Sequence, residues 1–506
     1  MRWLSGTCLS TATWTRALFA PALVFIATAG SRVYQTDFWH HLARGRAMVE
    51  SGSFVDHDLF TYTVAGAEFR DTNWLPQLLY YALFSIGDLD LVQLVNSLTL
   101  AGMMGLLVWL CWRECGSLVL SSAVGVGTFF GLWQLLIIRP QTFSLLLFVA
   151  LLAVLELAEQ RRRWLIWPPV ILALWVNIHG GFPVGLALVG CYLLAAGIEA
   201  GWERGWSGIC DGKVGALAAC LGACLAATLL NPYGWRVYDY VGLTSTAATI
   251  RHIDEWLPPG LNMLVGKMLI ASVLLLLVLF ALPGRRPRVR EVCLLACFLP
   301  FAVGSARMIA WWLLVAAPVT ARLLAAQVPT RLLRGDEDEK PSPASGLVFA
   351  LLALVVALSV PGWERFNPLV GTVRSAHRKE NDLQAVCQQL AERGGGRIFS
   401  RFEWSEYLGW ALAPRYTVFM DGRIEIFPDE IWREYSALTR GRADWQELLD
   451  RYDVDYLLLD ITGYHADLLP QVELSAAWEP VFQAGDGVLF VRRPTATASS
   501  SVHPSK

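Results

Sequence analysis

Long apolar segments recur along the chain and constrain its fold more than any other feature. They run from the N-terminus to about residue 361 and are separated by Arg, Gly-Pro or Asn-Pro breaks. Most are about 16 to 22 residues long, the length with which a helix crosses about 30 Å of hydrocarbon. Since 55% of the residues are hydrophobic and only 17% are charged, the bilayer must be the main solvent. The sequence therefore predicts a polytopic α-helical membrane protein.

Counting these segments predicts about 11 transmembrane helices. The predicted spans are residues 17–34, 91–112, 117–138, 141–160, 164–180, 183–200, 214–230, 264–283, 290–305, 307–325 and 345–361. Residues 75–88 are short for a span and carry polar side chains, which favours an interfacial helix on the outer surface. The first span follows Arg2 and Arg16 and ends in small residues, so a cleaved signal peptide is the alternative to an uncleaved span.

Arginine clusters in the short loops predict the orientation, because Lys and Arg are retained on the cytoplasmic side. One cluster covers residues 161–163 and the other holds four arginines within residues 285–290. Placing both inside puts four regions outside the cytoplasm: loop 35–90, the hairpin tip 177–183, loop 231–263 and everything after residue 362. The functional surface is expected there.

The tail differs in its sequence pattern from the rest of the chain. From about residue 380, helical patterns such as EWSEYLGWAL alternate with strand-like runs such as DYLLLD, which predicts a soluble α/β domain. The predicted domains are therefore a membrane-embedded domain 1–361 that includes the first outer loop, an extracytoplasmic α/β domain 362–492 and a disordered tail 493–506.

Charge and cysteine usage exclude several classes of function. The net charge of -2 gives no basic field, so no nucleic-acid partner is expected. Cys387 is the only cysteine in the soluble tail, and no pair of cysteines shares a soluble region in CxxC or CxxxH spacing, so neither a disulfide framework nor a zinc site is expected.

The first outer loop carries the densest group of ionisable residues. Asp37 follows the first span at the membrane face, where it could act as a general base or help to bind a divalent cation beside a phosphate. His41, a candidate substrate-binding residue, lies four residues later and shares a helix face with Asp37 if residues 38–50 are helical. Asp58 is a candidate substrate ligand, although a capped turn around Asp56 and Asp58 is an equally good interpretation.

Further candidate ligands lie at the outer ends of the predicted spans. Arginines there suit a lipid phosphate, which a guanidinium can bind bidentately. His179 could donate to the same phosphate or to a sugar hydroxyl, and a packed structural histidine is equally expected. The candidate substrate-binding residues of these outer regions are Arg139, Asn177, His179, Arg251 and Arg307. In the tail, Asp421, Gly422 and Arg423 predict either an acceptor-binding or loop-ordering segment or, preferably, an Asp-Gly turn with a structural salt bridge.

One span, an outer loop that opens with Asp37 in DFWHHLARG, the helix NWLPQLLYYALFSIGD, a bundle and an outer tail domain follow one another along the chain. This arrangement resembles the C-type-fold integral-membrane glycosyltransferases that use polyprenyl-phosphate sugars, such as protein O-mannosyltransferases and aminoarabinose transferases. Local motifs (RPQTFS, WVNIHGGF, NPYG and FMDGRIEIFP) resemble a bacterial branch. The resemblance implies that Asp37 is catalytic and that the protein lies in the bacterial inner membrane.

The expected activity is inverting transfer of a hexosyl or pentosyl group from a polyprenyl-phosphate carrier to an extracytoplasmic glycan, lipid or protein. Asp37 would activate the acceptor hydroxyl and Arg139, Arg251 or Arg307 would hold the departing phosphate. A divalent cation, Mg²⁺ or Mn²⁺, is the one cofactor considered, without a fixed ligand set. Two alternatives remain at this level: a transporter or flippase of a lipid-linked solute, and a membrane assembly scaffold.

Overall fold

The computed structural model describes residues 10–30, 37–133, 136–205, 212–239, 242, 254–329, 343–363 and 382–494. These residues form two compact units. The membrane unit contains the described residues of 10–30 and 72–363, and the loop–tail unit contains residues 37–71 and 382–494. The first outer loop, which the sequence groups with the membrane-embedded domain, thus folds with the tail.

The helices are, in chain order, α1 (Thr11–Ala29), α2 (Phe38–Ser51), α3 (Trp74–Cys115), α4 (Leu118–Leu132), α5 (Gln141–Ala158), α6 (Trp167–Trp175), α7 (Pro183–Arg204), α8 (Gly212–Ala227), α9 (Leu264–Ala281), α10 (Val289–Gly304), α11 (Ile309–Leu324), α12 (Pro343–Leu358), α13 (Asp382–Ala391), α14 (Phe402–Leu412), α15 (Asp429–Thr439), α16 (Trp445–Arg451) and α17 (Leu469–Leu474). Each predicted span overlaps one of these helices. By length and composition, six helices among the described residues can cross a membrane: α1, α3, α5, α7, α9 and α11 with its preceding turn. The number of crossings stays a prediction.

Helix α3 is interrupted near its middle. Gly87 and Asp88 leave helical geometry, and Asp88 has a φ of 55°, which costs a non-glycine residue free energy. The break falls at the boundary between the predicted interfacial helix 75–88 and the predicted span 91–112. The predicted boundary therefore coincides with the kink in α3.

Helix α11 forms the centre of the membrane unit. It packs against α3, α4, α9 and α10, and nearly all its residues are buried. The ring centroids of Trp311 and Phe148 are 5.0 Å apart. Trp175 is also fully buried and donates its indole N–H to the Ser144 hydroxyl at 2.8 Å, so the polar atom of this core ring is satisfied. In contrast, α12 has no buried residue.

The loop–tail unit is built on a five-stranded sheet in the order β2-β1-β3-β5-β4. Its strands are β1 (Gly396–Ser400), β2 (Tyr416–Val418), β3 (Tyr456–Asp460), β4 (Trp478–Ala484) and β5 (Gly487–Arg492). β1 pairs in parallel with β2 and β3, whereas β5 pairs antiparallel with β3 and β4. The predicted α/β character of the tail is confirmed. Strand β4 was not predicted, because Pro480 and a register shift beside it interrupt its pattern.

The first loop extends this sheet at its β2 edge. Thr61 forms a parallel bridge with Val418. The Val418 N–H donates to the Phe60 carbonyl at 3.0 Å, and the Tyr62 N–H donates to the Val418 carbonyl at 3.1 Å. Main-chain pairing of this kind covers an edge that would otherwise be exposed. The first loop and the tail therefore fold as one unit.

Candidate active site

Asp37 stands at the entrance to α2. Its main-chain carbonyl accepts the first helical hydrogen bond, from the His41 N–H at 3.0 Å. Its carboxylate does not cap the helix, although Asp is a residue type that commonly does. Helix α2 covers the predicted range 38–50, so Asp37 and His41 are one turn apart as expected.

A second carboxylate lies close to that of Asp37. Glu406 belongs to α14 and is only 3% exposed. A side chain at Gly422 would begin in collision with the Glu406 Oε1 atom and 3.9 Å from the Asp37 Oδ1 atom. Both carboxylates therefore approach the same turn of the tail, from two different helices. No sequence pattern predicts that Asp37 and Glu406 lie close together, because Glu406 has the pattern of an ordinary polar position on an amphipathic helix.

Helix α2 is held against α14 by aromatic and polar contacts. The Trp39 and Tyr407 rings meet edge to face, with centroids 4.8 Å apart. Arg46 donates to the Trp410 carbonyl at 2.8 Å and lies over the Trp410 ring at 4.3 Å. Edge-to-face and cation–π contacts of this kind favour one orientation of the two helices. They fix the helices that carry Asp37 and Glu406.

Arg423 joins the tail to the first loop. Its side chain is fully buried and donates to the Asp421 carboxylate at 2.9 and 3.0 Å and also to Asp58. Burial alone would lower the pKa of the Arg423 guanidinium, but the Asp421 and Asp58 carboxylates outweigh it and raise the pKa. The predicted salt bridge of the Asp-Gly turn is confirmed, and the same arginine also orders the loop.

Asp58, one of the predicted substrate ligands, is fully buried in this network. Besides Arg423, it accepts hydrogen bonds from the Thr61 N–H at 3.1 Å and the Thr61 hydroxyl at 2.8 Å. These bonds form the capped turn that the sequence offered as the equal alternative. Contact between Asp58 and a substrate stays a prediction.

The buried face of α2 carries two histidines and an arginine. Arg44 donates to Asp71 at 2.8 Å and to the Val55 carbonyl at 2.6 Å. His40 and His41 are both buried, with ring centroids 4.5 Å apart. Burial lowers the pKa of His40 well below its ordinary value, and the charges of His41, Arg423 and Arg44 lower it further. His40 is therefore neutral near pH 7.

Two predicted phosphate-binding arginines converge on one segment of the membrane unit. Arg139 forms an ion pair with Glu255 at 3.0 Å. Arg307 lies over the ring of Trp256 at 5.2 Å and donates to the Gln141 side-chain oxygen at 3.3 Å. The consecutive residues Glu255 and Trp256 thus contact one arginine each. The two arginines lie just before α5 and α11. Arg251 lies outside the described residues.

Asn177 and His179 occupy the tip between α6 and α7. Asn177 accepts from the Trp74 indole at 3.0 Å and donates to the Ala173 and Leu230 carbonyls at 2.8 Å each. It cross-links three segments of the membrane unit. The His179 Nδ1 atom accepts from the Gly181 N–H at 3.0 Å, which sets the direction of the ring. Substrate binding by either residue stays a prediction.

The described residues offer no ready-made metal site. No group of three or more His, Cys, Asp and Glu side chains among them is placed to hold a metal ion. Divalent cations such as Mg²⁺ and Mn²⁺ prefer several oxygen ligands at one point. The divalent cation considered from the sequence stays a prediction.

Comparison with known proteins identifies the fold. No protein-family model and no curated protein matches the chain. Several solved structures match over nearly its whole length. The chain has the fold of the C-type integral-membrane glycosyltransferases. The predicted multi-pass helical architecture with a small C-terminal sheet is thereby confirmed.

The first similar structure is the archaeal oligosaccharyltransferase AglB from Archaeoglobus fulgidus, in complex with an inhibitory peptide and a dolichol-phosphate. It has a TM-score of 0.55 and 10% identity, over 94% of this chain and 74% of AglB. The second is ArnT from Cupriavidus metallidurans bound to undecaprenyl phosphate, with a TM-score of 0.52 and 13% identity, over 97% and 99% of the two chains. The arabinofuranosyltransferase AftD from Mycobacteria has a TM-score of 0.57 and 14% identity, over 96% of this chain but 40% of AftD.

Proposed function

We propose that the protein is a membrane glycosyltransferase that moves a sugar from a polyprenyl-phosphate carrier to an acceptor outside the cytoplasm. The observation that carries this proposal is the match to ArnT, which spans nearly the full length of both chains. AglB and ArnT each hold a lipid phosphate in those structures. The fold alone does not specify a reaction, so the proposal also depends on the chemistry of Asp37 and of the arginines.

Asp37 is proposed as the general base. Its carboxylate takes the proton of the acceptor hydroxyl, and the acceptor oxygen bonds to the anomeric carbon of the donor sugar. The bond between that carbon and the phosphate oxygen breaks, and the polyprenyl phosphate leaves with the bonding electrons. Attack opposite to the leaving group inverts the anomeric centre.

Arg139 and Arg307 are proposed to bind the lipid phosphate. The departing phosphate gains negative charge as its bond to the sugar breaks, and fixed guanidinium groups stabilise that charge. Glu255 beside Arg139 and Trp256 beneath Arg307 hold the two side chains in place. These contacts restrict the two arginines before a donor binds, which lowers the entropy cost of binding.

The test is transfer by the purified full-length protein from a panel of polyprenyl-phosphate sugars, followed as release of the carrier. We expect Asp37→Asn to lower the rate by about 100- to 10,000-fold, the usual contribution of a general base. Asp56→Asn is the matched control, because Asp56 lies in the same loop, is 70% exposed and bonds to the exposed His57. Activity retained by Asp37→Asn in a folded protein would contradict the assignment.

A further inference from the structure

Gly422 marks a point where two helices bring carboxylates together. It lies in the turn that follows β2, between Asp421 and Arg423, whose side chains are joined by an ion pair. Because Gly422 has no side chain, the carboxylate of Glu406 can occupy the space beside the turn, and the Asp37 Oδ1 atom lies 3.9 Å from the same point. Any other residue at 422 would push Glu406 away. The close approach of Glu406 to the turn therefore requires glycine.

Helix α14 carries two acids with different surroundings. Glu403 is about one-third exposed and pairs with Arg401 at 3.3 Å. Glu406, almost one turn later, is 3% exposed and faces the turn at Gly422. Removing a carboxylate from water costs free energy. A buried acid beside a proposed catalytic base is thus a candidate for function rather than for stability.

His40 provides a second, independent observation on the helix turn that begins at Asp37. It is 9% exposed, and neither of its ring nitrogens has a hydrogen-bond partner among the described residues. A neutral imidazole carries one donor and one acceptor, and polar atoms buried at this depth normally have partners. A polar group of a bound molecule would supply them.

We propose that Glu406 is a positioning residue for the acceptor and that the acceptor is a sugar or another polyol. This inference rests on the proposed function. The Glu406 carboxylate accepts a hydrogen bond from one acceptor hydroxyl, which turns a neighbouring hydroxyl towards Asp37. Two carboxylates close to one point can bind two neighbouring hydroxyl groups, which a simple alcohol does not offer.

The proton balance gives Glu406 and Asp37 different roles. The proton of the reacting hydroxyl passes to Asp37 as the acceptor oxygen bonds to the anomeric carbon and the phosphate leaves. Glu406 keeps its hydrogen bond and neither gains nor loses a proton. Its negative charge nevertheless raises the pKa of a neighbouring carboxyl group. The Glu406 charge should therefore affect both acceptor binding and the pH at which Asp37 ionises.

The first test compares Glu406→Gln with the wild type, using an n-octyl hexoside and n-octanol as acceptors. We expect the wild type to prefer the hexoside, and Glu406→Gln to lower kcat/KM for it by about 10-fold, because a charge-assisted hydrogen bond is lost. The rate with n-octanol, compared on the plateau of the pH–rate profile, should fall less than the rate with the hexoside, because n-octanol has no second hydroxyl for Glu406 to bind. Glu403→Gln, on the same helix, is the matched control. A wild type that uses both acceptors equally well would overturn the polyol assignment.

The second readout is the acid limb of the pH–rate profile. We expect Glu406→Gln to move this limb to lower pH, because Asp37 loses a negative neighbour. A purely structural role of Glu406 would leave the limb unchanged. The variant leaves intact the other titratable and charged groups of this neighbourhood, which are His40, His41, Arg44, Arg46, Asp58, Asp71, Tyr407, Asp421, Arg423 and Glu425.

A further variant keeps the proposal testable if Glu406→Gln fails to fold. Gly422→Ala leaves the Glu406 charge in the protein but displaces its carboxylate, so it should lower hexoside transfer in the same way. Gly409→Ala is its control, since a side chain there would meet Phe60 at an ordinary 3.6 Å. If Asp37→Asn abolishes transfer while Glu406→Gln and Gly422→Ala match the wild type, only this inference fails. No transfer by the wild type would overturn the proposed function as well.

Discussion

The two units of the protein use buried charge in different ways. In the membrane unit, the buried pair of Arg322 and Glu291, which are 31 positions apart in sequence, joins the packed helices α11 and α10. In the loop–tail unit, Arg423 joins Asp58 across 365 residues. Apolar packing already holds together the two helices that carry Arg322 and Glu291. The pair of Arg423 and Asp58, in contrast, helps to hold the first loop against the tail. Buried charge therefore reinforces one unit and assembles the other.

Replacing Arg423 and, separately, Arg322 should distinguish an assembling role from a reinforcing one. The loss of Arg423 is expected to have the largest effect of the changes considered. Arg423→Met leaves the Asp58 and Asp421 carboxylates buried without their cation, which costs about 3 to 5 kcal/mol in comparable pairs. We expect the first loop to lose its protection, measured by limited proteolysis of the full-length protein at residues 37–71.

Arg322→Met is the reciprocal control for that experiment. It should lower the thermal stability of the membrane unit, because Glu291 loses its partner, and leave proteolysis of the loop unchanged. Equal protection of the loop in Arg423→Met and in the wild type would contradict an assembling role for Arg423.

The two units should also differ in the kinetic parameter that they control. Arg307→Met removes a cation proposed for the lipid phosphate, and hydrogen bonds to charged groups contribute about 1.5 to 3 kcal/mol. We expect kcat/KM for the lipid-linked donor to fall by about 10- to 100-fold with a rise in KM, because Arg307 contacts the phosphate in the bound donor as well as during bond breaking, whereas Asp37→Asn acts mainly on kcat. Arg285→Met changes an exposed arginine of the same unit and should leave donor KM unchanged. An unaltered donor KM in Arg307→Met would remove Arg307 from the phosphate site.

The smallest expected effect concerns pH and the tail alone. His465 is fully buried, and its Nδ1 atom accepts from the Asp460 N–H at 2.9 Å. Burial lowers the pKa of His465 to about 4 in the folded protein. As the pH falls from about 6.5 to about 4, the unfolded chain binds a proton that the folded chain does not, so stability falls.

The variant His465→Asn isolates this contribution, because an amide oxygen can replace the Nδ1 acceptor but does not titrate in this range. We expect the free energy of unfolding to depend less on pH in the variant, by up to about 1.4 kcal/mol per pH unit. The measurement is thermal unfolding of the full-length protein across that range. Identical pH dependence in both proteins would show that His465 is not the group responsible.

Much of the architecture could be predicted from the sequence because it depends on local properties. A run of apolar residues long enough to cross a bilayer must be a helix, since its main-chain groups have no other partners in lipid. The interruption at Gly87 and the alternating elements of the tail also follow from local pattern. Asp37 was identified by its position just after a span.

The remaining features depend on contacts between residues far apart in sequence. Strand β4 is recognisable only through its pairing with β5. The loop at Thr61 joins the sheet through a bridge to Val418, and Glu406 approaches Asp37 only because Gly422 leaves room. The length of the apolar runs and the local pattern of charge thus determined where the helices lie, that one unit is helical and the other α/β, and that Asp37 is the first candidate residue. The tertiary structure alone decided which charges meet, because ion pairs and shared space depend on distance rather than on order along the chain.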